Sequence, residues 1–338
     1  MRNGLERMKP HPSIRCRRTS RVVEVGVILA LIFSASAPLR IRAETLKMTV
    51  RGTERTALVH LPAEAPNGEL LPLVIAFHGS AWNGSVMEEI TGLSSLSDEF
   101  GFIVAYPNGS GPAGALSWNT GACCSFALDR GVDDFAFADA LLDALIVGYP
   151  VDPERIYATG FSNGGMLVHR LAVERPDRFS AVAVVAGALF PSQSAPGAPV
   201  PILIMHGTED SIVPYDGGVG VLAGVSGKTE PSLSVSEAAT LWKEANECSG
   251  ETTVERERNA RIESLGECAS GAEVLLVTLL GGSHNWPTVQ RTSTDYPVDE
   301  TAEMLLLFSD PAGDEILWDL FESGIDASNT IWEFFDRN

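Results

Sequence analysis

Beyond residue 44 the apolar positions fall into short runs separated by stretches of helical period. Residues 45–50 and 55–61 are β-branched and partly alternating on either side of Gly52, which predicts an antiparallel hairpin. Runs at 73–77, 102–106, 155–159, 181–186, 201–205 and 273–280 are largely apolar, the pattern of parallel strands buried on both faces. Asp133 opens a segment with Phe135, Ala138, Leu141, Leu142 and Leu145 on one face. An aspartate there supplies the acceptor that the first turn of a helix needs. Further helices are predicted at 163–174, 234–247 and 327–336. Strands alternating with helices are joined by crossovers and lie parallel. The expected fold class is α/β, a mostly parallel central sheet of about eight strands with helices on both faces. The ligand site belongs at the carboxyl ends of the strands. No repeat or composition break interrupts residues 44–338, so one domain is expected there.

The first 43 residues differ from the rest. They carry nine Lys/Arg against Glu6 and Glu24, then an uncharged apolar run at 25–37 that ends in small residues. That order is a secretory signal peptide, with cleavage expected between residues 36 and 43. Its 13 apolar residues fall short of the eighteen or so that span a bilayer, and Cys16 precedes the run, so no membrane anchor is expected. The remaining chain carries 15 basic and 42 acidic residues. So acidic a surface repels phosphate backbones and excludes nucleic acid as a partner. Export leaves Cys123, Cys124, Cys248 and Cys268 for disulfides. Cys248–Cys268, closing a hydrophilic loop rich in Glu and Arg, is the preferred bridge. The adjacent Cys123 and Cys124 could bridge each other, stay reduced or pair elsewhere. No His or second Cys pair stands at zinc-ligand spacing, so no metal is expected.

The chemistry begins with Gly160-Phe161-Ser162-Asn163-Gly164, a G-x-S-x-G between a predicted strand and a predicted helix. In that context the serine sits on a strained turn with its hydroxyl clear of the sheet. A plain helix cap at Ser162 is the competing reading. A serine nucleophile needs a base and an orienting acid. In hydrolases built on this turn, their order along the chain is serine, acid, histidine. His284, in Gly281-Gly282-Ser283-His284-Asn285-Trp286 after the last strand, fits as base. His60 lies in the hairpin, His169 on the helix behind the serine, and His78 and His206 end strands where an imidazole ties backbone groups. Asp210, in the loop after 201–205, fits as acid, with Glu209 and Asp216 as competitors. The backbone N–H groups of Asn163 and of Ser80, after the first buried strand, are the expected oxyanion donors.

These residues, with the stretches LVIAFHGS, GFIVAYPNG, SWNTGACC, VDD, DPERIYATGFSNGGM, HGTEDSIVPY, LWKEANEC, GGSHNWP and IWEFF, carry a resemblance that spans residues 73–335. The chain resembles secreted polyhydroxybutyrate-depolymerase-like esterases and the feruloyl and acetylxylan esterases of carbohydrate esterase family one. The resemblance implies an α/β-hydrolase fold, Ser162, Asp210 and His284 as nucleophile, acid and base, and no cofactor. It also makes Trp118 and Trp286 candidates for contact with an acyl or aromatic group, or for shielding the triad. No lipobox, Ser/Thr-rich linker or binding module is seen, which favours soluble or oligomeric esters over solid polyester. An acidic insertion at 292–325 is expected to be either a flap beside the site or a packed surface segment. The reading is a secreted (extracellular or periplasmic) serine esterase acting on hydroxyalkanoate oligomers or on feruloyl or acetyl esters of plant polysaccharide. The alternatives are a prolyl-oligopeptidase-like serine peptidase and a non-catalytic binding protein on a hydrolase scaffold. Oligomeric state is left open.

Overall fold

The apolar runs pair side by side as parallel strands. A computed structural model of the chain describes residues 43–63, 68–123, 125–193, 197–220, 230–288 and 324–338. The tract read as a signal peptide, and most of the 292–325 insertion, lie outside the described residues. The predicted hairpin is β1 (Ala43–Val50) and β2 (Thr53–His60), turning at Gly52 with φ 83°. The buried runs are β3 (Leu71–Phe77), β4 (Ile103–Pro107), β5 (Val151–Phe161), β6 (Ala181–Val185) and β7 (Ile202–Gly207). After them come β8 (Thr253–Glu257), β9 (Ala260–Ser264) and β10 (Val274–Leu279). Among the described residues these make one ten-stranded sheet, ordered β1-β2-β4-β3-β5-β6-β7-β10-β9-β8. Strands β4, β3, β5, β6, β7 and β10 run parallel. The hairpins β1–β2 and β8–β9 extend the two edges antiparallel.

The β8–β9 hairpin corrects the reading of 248–268 as a hydrophilic loop, and makes ten strands rather than about eight. Every residue of β8 is exposed. An edge strand bare on both faces shows no apolar alternation, and its Glu and Arg side chains discourage further strands from adding. The preferred bridge, Cys248–Cys268, is formed across the base of this segment. Cys123 is also disulfide-bonded.

Two helical layers cover the sheet. Alternate residues of β3 point to opposite faces, Leu73, Ile75 and Phe77 into one core and Val74 and Ala76 into the other. The first core takes the apolar sides of α4 (Asp134–Gly148), α5 (Asn163–Glu174) and α6 (Val235–Ala245). The second takes α1 (Gly84–Thr91), α2 (Leu93–Phe100) and α7 (Ala327–Asp336), whose Trp332 stacks on Phe102 and Phe335 on Tyr157. The short helix α3 (Ser125–Asp129) lies in the loop before α4. Asp133 caps α4 as the sequence predicts, accepting from the Ala136 N–H at 2.9 Å. The helices α1 and α2 were not legible. Each spans eight residues, and Gly92 at φ 62° ends one and begins the other.

A buried ion pair ties the β1–β2 hairpin to the loops above the sheet. Arg55 donates to Asp134 at 2.8 Å and to the Asn108 carbonyl at 3.1 Å, while Asp134 accepts from the Asn119 N–H at 2.7 Å. The guanidinium lies 3.9 Å from the Phe137 ring centroid. Burial pushes both partners toward their neutral forms in spite of this contact, raising Asp134 and lowering Arg55. Removing one partner strands the other charge away from water. Asp134→Ala is therefore expected to lower stability by about 3–5 kcal/mol in chemical denaturation. A loss of under about 1 kcal/mol would show that water reaches the arginine.

Candidate active site

The strand ends deliver each candidate residue. Ser162 follows β5 with φ 53° and ψ −121°, a strained conformation for a residue with a side chain. The positions two residues to either side must be glycine. A Cβ on Gly160 would lie 2.5 Å from the Gly164 carbonyl carbon, and one on Gly164 would lie 2.2 Å from the Phe77 carbonyl oxygen. Ser162 stands at the N-cap of α5 yet its side chain makes no cap hydrogen bond, which rules out the plain-cap reading.

Two further loops are laced together beside it. The acid loop follows β7 and the histidine loop follows β10, which pairs with β7 in parallel. Between them the Thr208 N–H donates to the Leu279 carbonyl and the Glu209 N–H to the Gly282 carbonyl, each at 2.9 Å. A Cβ on Gly207 would lie 2.2 Å from that Gly282 oxygen, so the close approach requires glycine. Across this seam His284 Nδ1 lies 2.7 Å from Asp210 Oδ2, and His284 Nε2 lies 2.9 Å from Ser162 Oγ. Asp210 can only accept at Nδ1, so Nε2 is left to take the serine proton. Neither Glu209 nor Asp216 makes this bond.

The Asp210 carboxylate is fully enclosed. Oδ1 accepts from the N–H groups of Ile212 at 2.9 Å and Val213 at 2.7 Å. Burial alone would raise its pKa, but His284 and His206 together outweigh this and hold the carboxyl well below its usual range. His206 Nε2 lies 3.1 Å from the same Oδ2 that His284 uses. This contact was not foreseen, since a histidine ending a strand carries no local sign of its partner.

Three other described histidines, His60, His78 and His169, lie outside the Ser162–His284–Asp210 hydrogen-bonded line. His60 bonds Asp98 at 3.1 Å. His78 donates from Nδ1 to the Gly79 carbonyl at 2.7 Å and accepts at Nε2 from the Gly109 N–H at 2.9 Å. Burial, helped by Arg55, lowers its pKa to about 4, and burial lowers that of His169 to about 3, each from 6.5. Below pH 6.5 the unfolded chain takes up protons at both sites that the folded chain refuses, so stability falls with pH. Asp210 adds to the loss below its ordinary pKa, where the unfolded carboxylate is protonated first. The melting temperature is expected to decline steadily from about pH 6.5 to about pH 4. A flat profile over that window would mean the two imidazoles are hydrated.

Ser162 opens on a small, partly open cleft. Met166, Ala188, Phe190, Ile212 and Val213 form its apolar wall, and Ser80, Glu230 and Ser232 add polar groups. Among the described residues the N–H groups of Ser80 and Asn163, which line the same cleft, have no protein acceptor. The wall residues were not foreseen either, because an apolar loop residue looks the same in sequence whether it lines a cleft or fills a core.

Trp118 and Trp286 are not in that wall. Trp118 is fully buried, packed on Phe77 and His78. Its ring N–H donates to the His78 carbonyl at 2.8 Å, and its backbone N–H donates to Asn163 Oδ1 at 2.7 Å. It therefore joins the two loops that carry the N–H groups of Ser80 and Asn163. Trp286 is 5% exposed and donates to Ser328 Oγ at 3.1 Å, anchoring the histidine loop to α7. Each indole has its one donor satisfied inside the protein, and both rings pack in the core.

Known proteins resemble this chain. The family model described as esterase PHB depolymerase matches residues 56–221. The putative esterase NocK of Nocardia uniformis subsp. tsuyamanensis is 34% identical over 257 residues, covering 71% of this chain and 73% of NocK. The chain belongs to the PHB-depolymerase esterase family. Feruloyl esterase B of Piromyces equi is 31% identical over 236 residues, covering 68% of this chain. This esterase spans only 42% of that relative's length. The solved acetyl xylan esterase of Aspergillus awamori superposes with a TM-score of 0.52 at 16% identity, covering 72% of this chain and 95% of that one. It shows the shared α/β-hydrolase fold. As a member of the family the esterase is a carboxylic ester hydrolase, the reading preferred above over a peptidase or a binding protein.

Proposed function

We propose that this esterase hydrolyses esters through an acyl-enzyme, with Ser162, His284 and Asp210 as its triad. The supporting observation is the unbroken hydrogen-bonded line from Asp210 through His284 to Ser162, at the floor of an apolar cleft. Ser162 Oγ attacks the ester carbonyl as its proton passes to His284 Nε2. Asp210 balances the imidazolium that forms. The N–H groups of Asn163 and Ser80 receive the oxyanion, worth about 10²–10³ in kcat per donor. The imidazolium then protonates the departing alkoxide. A water molecule, activated by the same imidazole, releases the acid and restores the serine.

The substrates in this reading are hydroxyalkanoate oligomers or feruloyl and acetyl esters of plant polysaccharide, and the enzyme works outside the cytoplasm. The apolar wall of the cleft beside Ser162 suits the acyl part of such an ester. The Cys248–Cys268 disulfide fits an oxidising compartment, and the basic and apolar first 43 residues fit an export signal.

A fluorophosphonate probe tests the nucleophile. It is expected to add one label per chain, on the peptide that contains Ser162, with esterase activity lost in proportion. Labelling elsewhere, or none with activity intact, would refute the reading. A panel of methyl ferulate, acetylated xylan and hydroxybutyrate oligomers then separates the substrate classes by kcat/KM.

A further inference from the structure

Behind the wall of the catalytic cleft lies a second, small cavity, with room for about one water molecule. Its lining is apolar, from Leu189, Ile204, Leu233 and Val235 among others, except for two imidazoles, His169 and His206. Both rings are buried. Each has one nitrogen with no hydrogen-bond partner among the described residues, Nε2 of His169 and Nδ1 of His206. Unmet nitrogens on two rings that line one small space need an explanation, because an orphaned buried polar atom costs about 1–3 kcal/mol.

Their other contacts settle which nitrogen carries a proton. Trp242 donates its indole N–H to His169 Nδ1 at 3.2 Å. Nδ1 therefore holds a lone pair, and the proton of the neutral ring is on Nε2. His206 Nε2 faces two acceptors, the Val213 carbonyl at 2.8 Å and Asp210 Oδ2 at 3.1 Å. Nε2 must be the donor, which leaves Nδ1 of the neutral ring as an acceptor. The cavity is thus offered one N–H and one lone pair. A water molecule is the smallest group that accepts from the first and donates to the second, and buried water occurs where two or more polar groups are otherwise unmet.

The geometry points to one buried water bridging His169 Nε2 and His206 Nδ1, so that His206 forms a second hydrogen-bonded arm on Asp210 and acts as a positioning residue for His284. The inference rests on the triad reading of Ser162, His284 and Asp210. In this arm the water holds His206 in its Nε2–H form. That N–H and the His284 Nδ1–H share Oδ2, while two backbone N–H groups hold Oδ1. The carboxylate is then gripped at both oxygens and has no freedom to turn away from His284. Such supporting contacts are worth about 10- to 100-fold in activity when lost. His169 lies on α5 and Trp242 on α6, so the arm also joins the serine helix to the acid loop.

Two experiments test this. A crystal structure of the wild-type enzyme at high resolution is expected to show an ordered water within about 3.2 Å of both ring nitrogens. Either nitrogen bonded to anything else, including the other ring directly, overturns the water bridge. The second uses a pair of variants. His206→Gln keeps an amide donor near the place of Nε2, whereas His206→Asn does not reach it. His206→Asn is expected to lower kcat by about 10- to 100-fold at unchanged KM, and His206→Gln to recover most of that loss. Equal kcat in both variants, at the wild-type level or below it, overturns the positioning role. Fluorophosphonate labelling of wild-type Ser162 is run alongside. If Ser162 is labelled and the variants are equal, the second arm fails and the triad stands. If Ser162 is not labelled, the triad reading itself has failed.

Discussion

Ser162→Ala is expected to lower kcat on p-nitrophenyl acetate by a factor on the order of 10⁶, with little change in KM or melting temperature. Stability is spared because the hydroxyl makes one hydrogen bond, to His284, and caps no helix. Alanine accepts the φ of 53° as poorly as serine does, so the strain is the same in both proteins. The strain matters for rate. It is held by the backbone contacts of Gly160 and Gly164, and it keeps the hydroxyl clear of the helix and in line with the cleft. A residual rate above that in water is still expected, because the N–H groups of Ser80 and Asn163 remain to polarise a carbonyl. Turnover at the wild-type level in the purified variant would remove Ser162 from the chemistry.

Asp210→Asn is expected to cost about 10⁴ in kcat while leaving the fold intact. The amide oxygen can keep the N–H groups of Ile212 and Val213 at the place of Oδ1. The amide nitrogen then stands at Oδ2 and donates where the carboxylate accepted. His284 must present a lone pair at Nδ1, so its proton moves to Nε2, facing the serine it should deprotonate. The same NH₂ opposes the His206 N–H at 3.1 Å, so two donors meet with no acceptor between them. Some loss of thermal stability should therefore accompany the loss of rate. Steady-state kinetics and thermal unfolding on one preparation separate the two effects. A rate loss below about tenfold would mean that another group orients the imidazole.

Much of this site is legible in the sequence because the candidate nucleophile, acid and base each occupy a loop directly after a buried strand. Apolar runs announce those strands, so the loops can be named without knowing how the strands pair. The glycines of the G-x-S-x-G turn are similarly local, their need set by neighbours two residues from the serine and by the strand beside it. The outer parts of the sheet were harder to read. The β8–β9 hairpin buries little, so selection for an apolar face left no periodic trace in its residues. Trp118 and Trp286 show the opposite difficulty. A large aromatic in a loop can face the cleft or the core, and only burial and satisfied ring donors place these two in the core.

The sequence by itself determined the α/β class, the parallel core, the serine turn and the order of the three proposed triad residues. Those features follow from local stereochemistry and from burial patterns that repeat along one segment. Only the tertiary structure decided which side chains share Asp210, which apolar residues wall the cleft, and that two imidazoles with an orphaned nitrogen each line one cavity. Each of these is a contact between segments far apart in the chain. A hydrogen bond or a cavity wall depends on ångström-scale placement, and periodicity carries no such distances.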